Sequence, residues 1–230
     1  MKIFFVLILG LFALTSCTNK YENLLRYNTA EVREFVFEGE TADVKANLIC
    51  GKREKEYKVN GYATELIEFG VLTFEVNNID EYDETLAKYV LLVGTDRYDG
   101  DLQKNPFDSS LVVDIKKIID KNLPVKAIIT IGEFSREIEL KYLCQDWKVT
   151  SDDVYSIVAS KYKDEIMKLN DNNIFNGEIY IKILNDKDIY KGDYYWYVNL
   201  ISRNGGSLSM IISPFTKEIL AVNNTIEKIA

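Results

Sequence analysis

Thr150-Ser151-Asp152-Asp153-Val154-Tyr155-Ser156-Ile157-Val158 is the stretch where the chain changes its hydrophobic period. Thr150 and Asp153 stand at capping-box spacing, with acids in what would be the first turn, where they complement the helix dipole. Val154, Val158, Tyr162, Ile166 and Leu169 then follow on one helical stripe supported by Ile157. The lysines and acids of 161–168 fall largely on the other side. One helix is therefore predicted from Ser151 to about Leu169, ending in Asn170-Asp171-Asn172-Asn173, a turn-forming cluster.

Before Thr150 the period is two. Phe35 and Phe37 alternate with Val36 and Glu38, and Val44, Ala46 and Leu48 alternate with Lys45 and Asn47. Such alternation marks strands with one buried face. Further strands are predicted at Tyr57–Val59, Glu65–Val76, Lys88–Val93, Leu111–Ile115, Val125–Ile131 and Arg136–Leu143. Turn residues punctuate them, with Asn60-Gly61 as a tight-turn signal. One short helix is expected around Ile115–Lys121, with Pro124 ending it or beginning the next strand. Regularly spaced short strands predict an antiparallel β-sandwich over 31–148, with an Ig-like topology as one form of it.

After the helix come strands at Glu178–Leu184, Tyr194–Ser202, Ser207–Ile212 and Glu218–Val222, with Arg203-Asn204-Gly205-Gly206 as a hairpin loop. A helix laid on one face of an antiparallel sheet gives a compact α+β unit over 150–230. The fold class expected is thus α+β and β-rich. The polar residues 17–30 read as a tether or a frayed helix leading into the first strand.

The first sixteen residues have the form of an export signal. Lys2 supplies the positive charge, Ile3 to Leu14 form an apolar run, and Thr15 and Ser16 are small residues before a cleavage point. The run is shorter than the ~20 residues a membrane-spanning helix needs. Leu14-Thr15-Ser16-Cys17 resembles the bacterial lipobox. That resemblance implies a diacylglycerol on the Cys17 thiol, cleavage before Cys17, and an extracytoplasmic lipoprotein held on a bacterial membrane by acyl chains such as palmitate. Two chains suffice for stable anchoring.

A second resemblance covers about 150–225. The helix, the strand Tyr195-Trp196-Tyr197-Val198, the Gly-containing hairpin and Ser213-Pro214-Phe215-Thr216-Lys217-Glu218-Ile219-Leu220 look like a PepSY domain. Thr216, Glu218 and Leu220 match the family's closing turn and strand. Lys217 replaces its Gly, and Ser213 stands where an Asp is usual. The resemblance implies an extracytoplasmic module that inhibits or regulates peptidases and carries no catalytic residues.

Composition narrows the chemistry. Against 28 Lys and Arg stand 36 Asp and Glu, so the chain is poorly suited to neutralising the phosphates of a nucleic acid. It has no His, which removes Ser-His-Asp and Cys-His catalysis in their usual forms and the commonest zinc ligand. There is no Gly-rich phosphate loop, so no cofactor is expected and the chain reads as non-enzymatic. Carboxylate-only hydrolysis stays open. Cys50 and Cys144 are either a disulfide or two buried thiols. Asp80, Glu81, Asp83 and Glu84, and Asp96, Asp99 and Asp101, are two candidate sets of calcium ligands, and Asp186, Asp188 and Gly192 a weaker one, none in EF-hand register. Alternation on the aromatic strand sends Trp196 toward the core and leaves Tyr195 and Tyr197 either as a platform for a peptide or glycan or packed against the β domain. The expected partners are the membrane and an envelope protein or peptide. The alternative is a binding module for a small ligand, glycan or calcium.

Overall fold

The computed structural model describes residues 20–55, 65–171, 174–185 and 194–226. The chain is a β-rich α+β protein built as two compact units. One comprises Arg33–Arg53 and Ile67–Asp146. The other comprises the described residues of Met1–Val32, Glu54–Leu66 and Trp147–Ala230. The expected strand Tyr57–Val59, the Asn60-Gly61 turn, Cys17, Asp186, Asp188 and Gly192 lie outside the described residues.

The first unit, here the β unit, contains most of β1 (Thr29–Glu40) and β2 (Val44–Glu54), then β3 (Leu66–Val76), β4 (Ala87–Val93), β5 (Asp96–Asp101), β6 (Gln103–Lys104), β7 (Leu111–Ile115), β8 (Val125–Ile131) and β9 (Phe134–Tyr142). Its strands run in the order β6-β7-β3-β2-β1 on one side and β5-β4-β8-β9 on the other. The two layers share one core, formed by Leu48, Leu72, Phe74, Leu91, Ile129 and their neighbours. Alternation explains it: Val44, Ala46, Leu48 and Cys50 on β2 all point inward.

The layers are joined along one seam, where Phe37 pairs with Tyr142 and Glu38 with Lys141. Beyond Glu38 the strands cross closely. A Cβ on Gly39 would lie 2.1 Å from the Glu139 carbonyl oxygen. The Ig-like form is not the one adopted. Its third strand would cross to the opposite sheet, whereas β1, β2 and β3 pair in succession.

No helix forms at Ile115–Lys121. The Lys117 N–H donates to the Ile115 carbonyl at 2.7 Å, the Ile118 N–H to Glu68, and Ile119 turns into the core. Seven residues before a proline are too few for a helix to nucleate against these tertiary contacts.

The second unit, the α+β unit, has helices α1 (20–27), α2 (Ser151–Lys161) and α3 (Lys163–Lys168). A small hairpin, β10 (Asn170–Asp171) with β11 (Ile174–Phe175), leads into β12 (Gly177–Leu184), β13 (Tyr195–Ser202), β14 (Ser207–Ile212) and β15 (Ile219–Asn224). β12 to β15 form an antiparallel meander in the order β15-β14-β13-β12. The start of β1 adds to β12 in parallel, Thr29 opposite Ile179 and Val32 opposite Ile181.

The capping box at the head of α2 is complete. The Asp153 N–H donates to Thr150 Oγ1 at 3.2 Å, and the Thr150 N–H donates to the Asp153 carboxylate at 3.0 Å. Val154, Val158, Ile166 and Leu169 are buried as the stripe requires. The single predicted helix is in fact two, because the backbone breaks at Tyr162 (φ −125°, ψ 41°). Opposite the stripe, Ile179, Ile181, Ile183, Trp196, Val198, Leu200, Leu208 and Met210 are buried as well.

Residues 20–32 are not a free tether. Leu25 is buried, Arg26 pairs with Glu22 and with Asp152, and its guanidinium lies 4.3 Å from the centre of the Tyr155 ring. Ser156 donates to Glu22 at 3.0 Å, and the hydroxyls of Thr29 and Tyr155 meet at 2.9 Å. This N-terminal segment is thereby part of the α+β unit.

Candidate functional site

The most distinctive surface feature is the corner between β14 and β15, with the edge strand that follows it. Ser213 is buried, and its Oγ accepts from the backbone N–H groups of Phe215 (3.2 Å) and Thr216 (3.3 Å). The Ser213 N–H donates to the Glu218 carbonyl at 2.9 Å, closing the turn. Within it Lys217 has a left-handed backbone (φ 63°), a region that disfavours side chains other than Gly and Asn. Lys217 Nζ reaches Asp153 at 2.7 Å, tying the corner to the head of α2. That contact, with the Thr150 N–H, holds the Asp153 carboxyl below its usual range. The Lys148 and Val149 N–H groups both donate to the Pro214 carbonyl at 3.0 Å, and Trp196 Nε1 donates to the Val149 carbonyl at 3.0 Å.

From this braced corner β15 emerges as the last strand of its sheet. It pairs with β14 from Ile212–Ile219 to Leu208–Asn224, with Leu220 at a bulge. Its other edge has no strand partner among the described residues. Ile219-Leu220-Ala221-Val222-Asn223-Asn224 carries no charge, and Leu220 and Val222 are 38% and 45% exposed. Proteins normally protect sheet edges with charge, proline or brevity. The edges of the β unit follow that rule, since β5 carries Asp96, Arg97, Asp99 and Asp101, and β6 is two residues long. β15 does not.

The predicted platform of Tyr195 and Tyr197 is not presented. Tyr195 is 1% exposed. Tyr197 is half-buried and lies in a polar chain on the outer face, its hydroxyl donating to Ser209 Oγ at 3.4 Å while Ser209 donates to Asn199 at 3.0 Å. β13 itself is an inner strand flanked by β12 and β14. Trp196 is buried as predicted, edge-on to Trp147 at 5.4 Å.

Asp96, Asp99 and Asp101 do not converge. They share β5, whose period of two places Asp96 on one face and Asp99 and Asp101 on the other. Asp99 accepts from Arg97 Nε at 3.0 Å, and Asp96 lies 4.0 Å from Lys117. Beside the close approach of β1 and β9, the β unit has a groove of about 420 Å³ lined by Glu38, Gly39, Glu40, Lys45, Glu137 and Glu139 among others. Its carboxylates include Glu38, paired with Lys45 at 3.1 Å, and Glu137, paired with Lys126 at 2.6 Å.

Cys50 and Cys144 are buried free thiols, so the disulfide alternative is not the state found. They have separate surroundings. Cys50 receives a backbone hydrogen bond at Ile119 and sits beside Gly70, whereas Cys144 has one at Val36. Burial pushes both thiols up to about 11. A thiol that ionises later in the folded chain stabilises fully below its unfolded value of 9.0 and loses that contribution as pH rises toward 11. Stability measured by urea unfolding should therefore fall between pH 9 and 11, and Cys50→Ala with Cys144→Ala should flatten that fall. An unchanged slope in the double variant would count against these environments.

No family model matches the chain, and neither the curated proteins nor the solved structures give a match. Among the described residues no helix is long and apolar enough to cross a membrane.

Proposed function

We propose that the protein is an extracytoplasmic lipoprotein, anchored through Cys17, that acts by binding an extended segment of an envelope protein as an added strand on β15. The observation that carries the binding mode is the uncharged, exposed edge of β15 beside a rigid corner. Strand addition draws affinity from main-chain hydrogen bonds and specificity from the side chains that alternate above and below. The anchoring rests on the signal-like residues 1–16 and the lipobox-like Leu14-Thr15-Ser16-Cys17.

Two features of the corner support the PepSY-like reading of residues 150–225, and with it a role in peptidase regulation. Lys217, which stands in place of the family's Gly, has the positive φ that favours Gly. Ser213, in place of an Asp, accepts the two turn N–H bonds that such a side chain supplies. Lys217→Gly should accordingly stay within about 0.5 kcal/mol of the parent. Relief of a left-handed conformation (about 1–2 kcal/mol) offsets the lost exposed ion pair and the greater freedom of the unfolded chain. Lys217→Val should cost more than about 1.5 kcal/mol, since a β-branched residue tolerates that backbone poorly. Equal losses in thermal or urea unfolding would contradict the reading.

The binding mode is tested by Val222→Lys and Leu220→Lys, which place a charge on the edge without touching the core. Each should reduce the protein recovered with the lipidated chain from native membranes by at least about tenfold, while Arg97→Glu on β5 leaves recovery unchanged. Full recovery with both lysine variants would reject β15 as the binding edge.

A further inference from the structure

The position of the anchor relative to α1 carries a second conclusion, which rests on the proposed acylation of Cys17. Only Thr18 and Asn19 separate Cys17 from Lys20, the first described residue of α1. Three residue steps of at most about 3.5 Å each allow a reach of roughly 10 Å. α1 is not free to swing on that short leash. Leu25 is buried beneath it, Arg26 is held by Asp152 and Tyr155, Glu22 by Ser156, and Lys163 Nζ lies 5.9 Å from the centre of the Tyr21 ring. These contacts fix its direction: the end of α1 near Arg26 meets the head of α2, and the end near Tyr21 meets the start of α3.

We infer that the α+β unit is held directly against the lipid surface, with the start of α1 and the α2–α3 junction facing the headgroups. The sequence reads residues 17–30 as a tether, which would leave the chain free of the surface. Attachment of α1 to α2 and α3 shortens that tether to residues 17–19. The face so presented carries Lys20 and Lys161, both exposed, and Lys163. In a chain of net charge −8 these are the cations placed to meet lipid phosphate, beside the exposed Asp164. The β14–β15 corner lies at the other end of α2, joined to it through Lys217 and Asp153. At 1.5 Å per residue that end is about 12 Å from Lys161 along the helix. The corner is thereby turned from the membrane, and β15 runs from it back toward α3, where Asn224 donates to Glu165 at 3.3 Å.

The test uses the full acylated chain in vesicles of phosphatidylcholine and phosphatidylglycerol containing a headgroup-linked quencher. A fluorophore is attached in turn through Lys161→Cys and Phe215→Cys. Cys50 and Cys144 are buried and do not compete for label. Quenching should be at least about twofold stronger for Lys161→Cys than for Phe215→Cys. A Gly-Ser linker of about twelve residues between Asn19 and Lys20 should abolish the difference. Equal quenching at both positions, stronger quenching at Phe215→Cys, or a difference that survives the linker would overturn the orientation while leaving the anchoring intact. A mature chain shown by mass to lack diacylglycerol would overturn both.

Discussion

Gly39→Ala is expected to destabilise the β unit by about 3 kcal/mol, near the upper end of what overpacking usually costs. The added methyl would lie 2.1 Å from the Glu139 carbonyl oxygen and 2.8 Å from Ile138 Cγ2. The first contact is to backbone, which cannot rotate aside. Relief therefore requires moving β1 away from β9 at the seam where Phe37 meets Tyr142. Gly132→Ala makes a useful comparison, because its φ is +60° but nothing lies within 4 Å of the new methyl. It should cost only about 1–2 kcal/mol, the strain of a left-handed alanine. Urea unfolding of both variants checks the ranking. A Gly39→Ala loss no greater than that of Gly132→Ala would mean the two strands do not cross as described.

Cys17→Ser is expected to abolish acylation altogether. On the proposed reading of the lipobox-like signal all lipid attachment is through one thiol, and no other cysteine is exposed among the described residues. Wild-type protein should incorporate a tagged fatty acid and start at Cys17 by mass, whereas the Cys17→Ser chain should stay unlabelled and accumulate with residues 1–16 attached. Two acyl chains, at about 0.8 kcal/mol per buried CH₂, give an attachment that washing does not reverse. Equal labelling of the variant would place the lipid elsewhere or remove it from the account.

Much of the strand pattern was legible in the sequence because most strands have one face in a core. Leu111–Ile115, Val125–Ile131 and Ser207–Ile212 begin and end where their alternation says. Thr150 and Asp153 announced a cap that the structure completes. β5 escaped notice because Asp-Arg-Tyr-Asp-Gly-Asp is an edge strand with no fully buried side chain and so no apolar period. The membership of residues 20–32 was also hidden. It depends on Thr29 meeting Ile179 and Arg26 meeting Asp152, pairings between distant parts of the chain that local pattern does not encode.

The candidate site shows the same division. The closing turn at Ser213–Glu218 could be picked out from its residues, but the open edge of β15 could not, because openness depends on which strand ends the sheet. Tyr195 and Tyr197 looked promising for the opposite reason. An aromatic run is conspicuous in sequence, yet alternation does not tell whether a sheet face is covered, and Tyr195 is buried.

The central claim is that β15 receives the partner. A photoreactive side chain placed at Val222, and separately at Arg97 on β5, in the acylated protein within its native membrane tests this most directly. The account predicts a discrete cross-linked protein from position 222 and none from position 97. Adducts from position 97 alone, or none from position 222 with the protein folded and anchored, would contradict it.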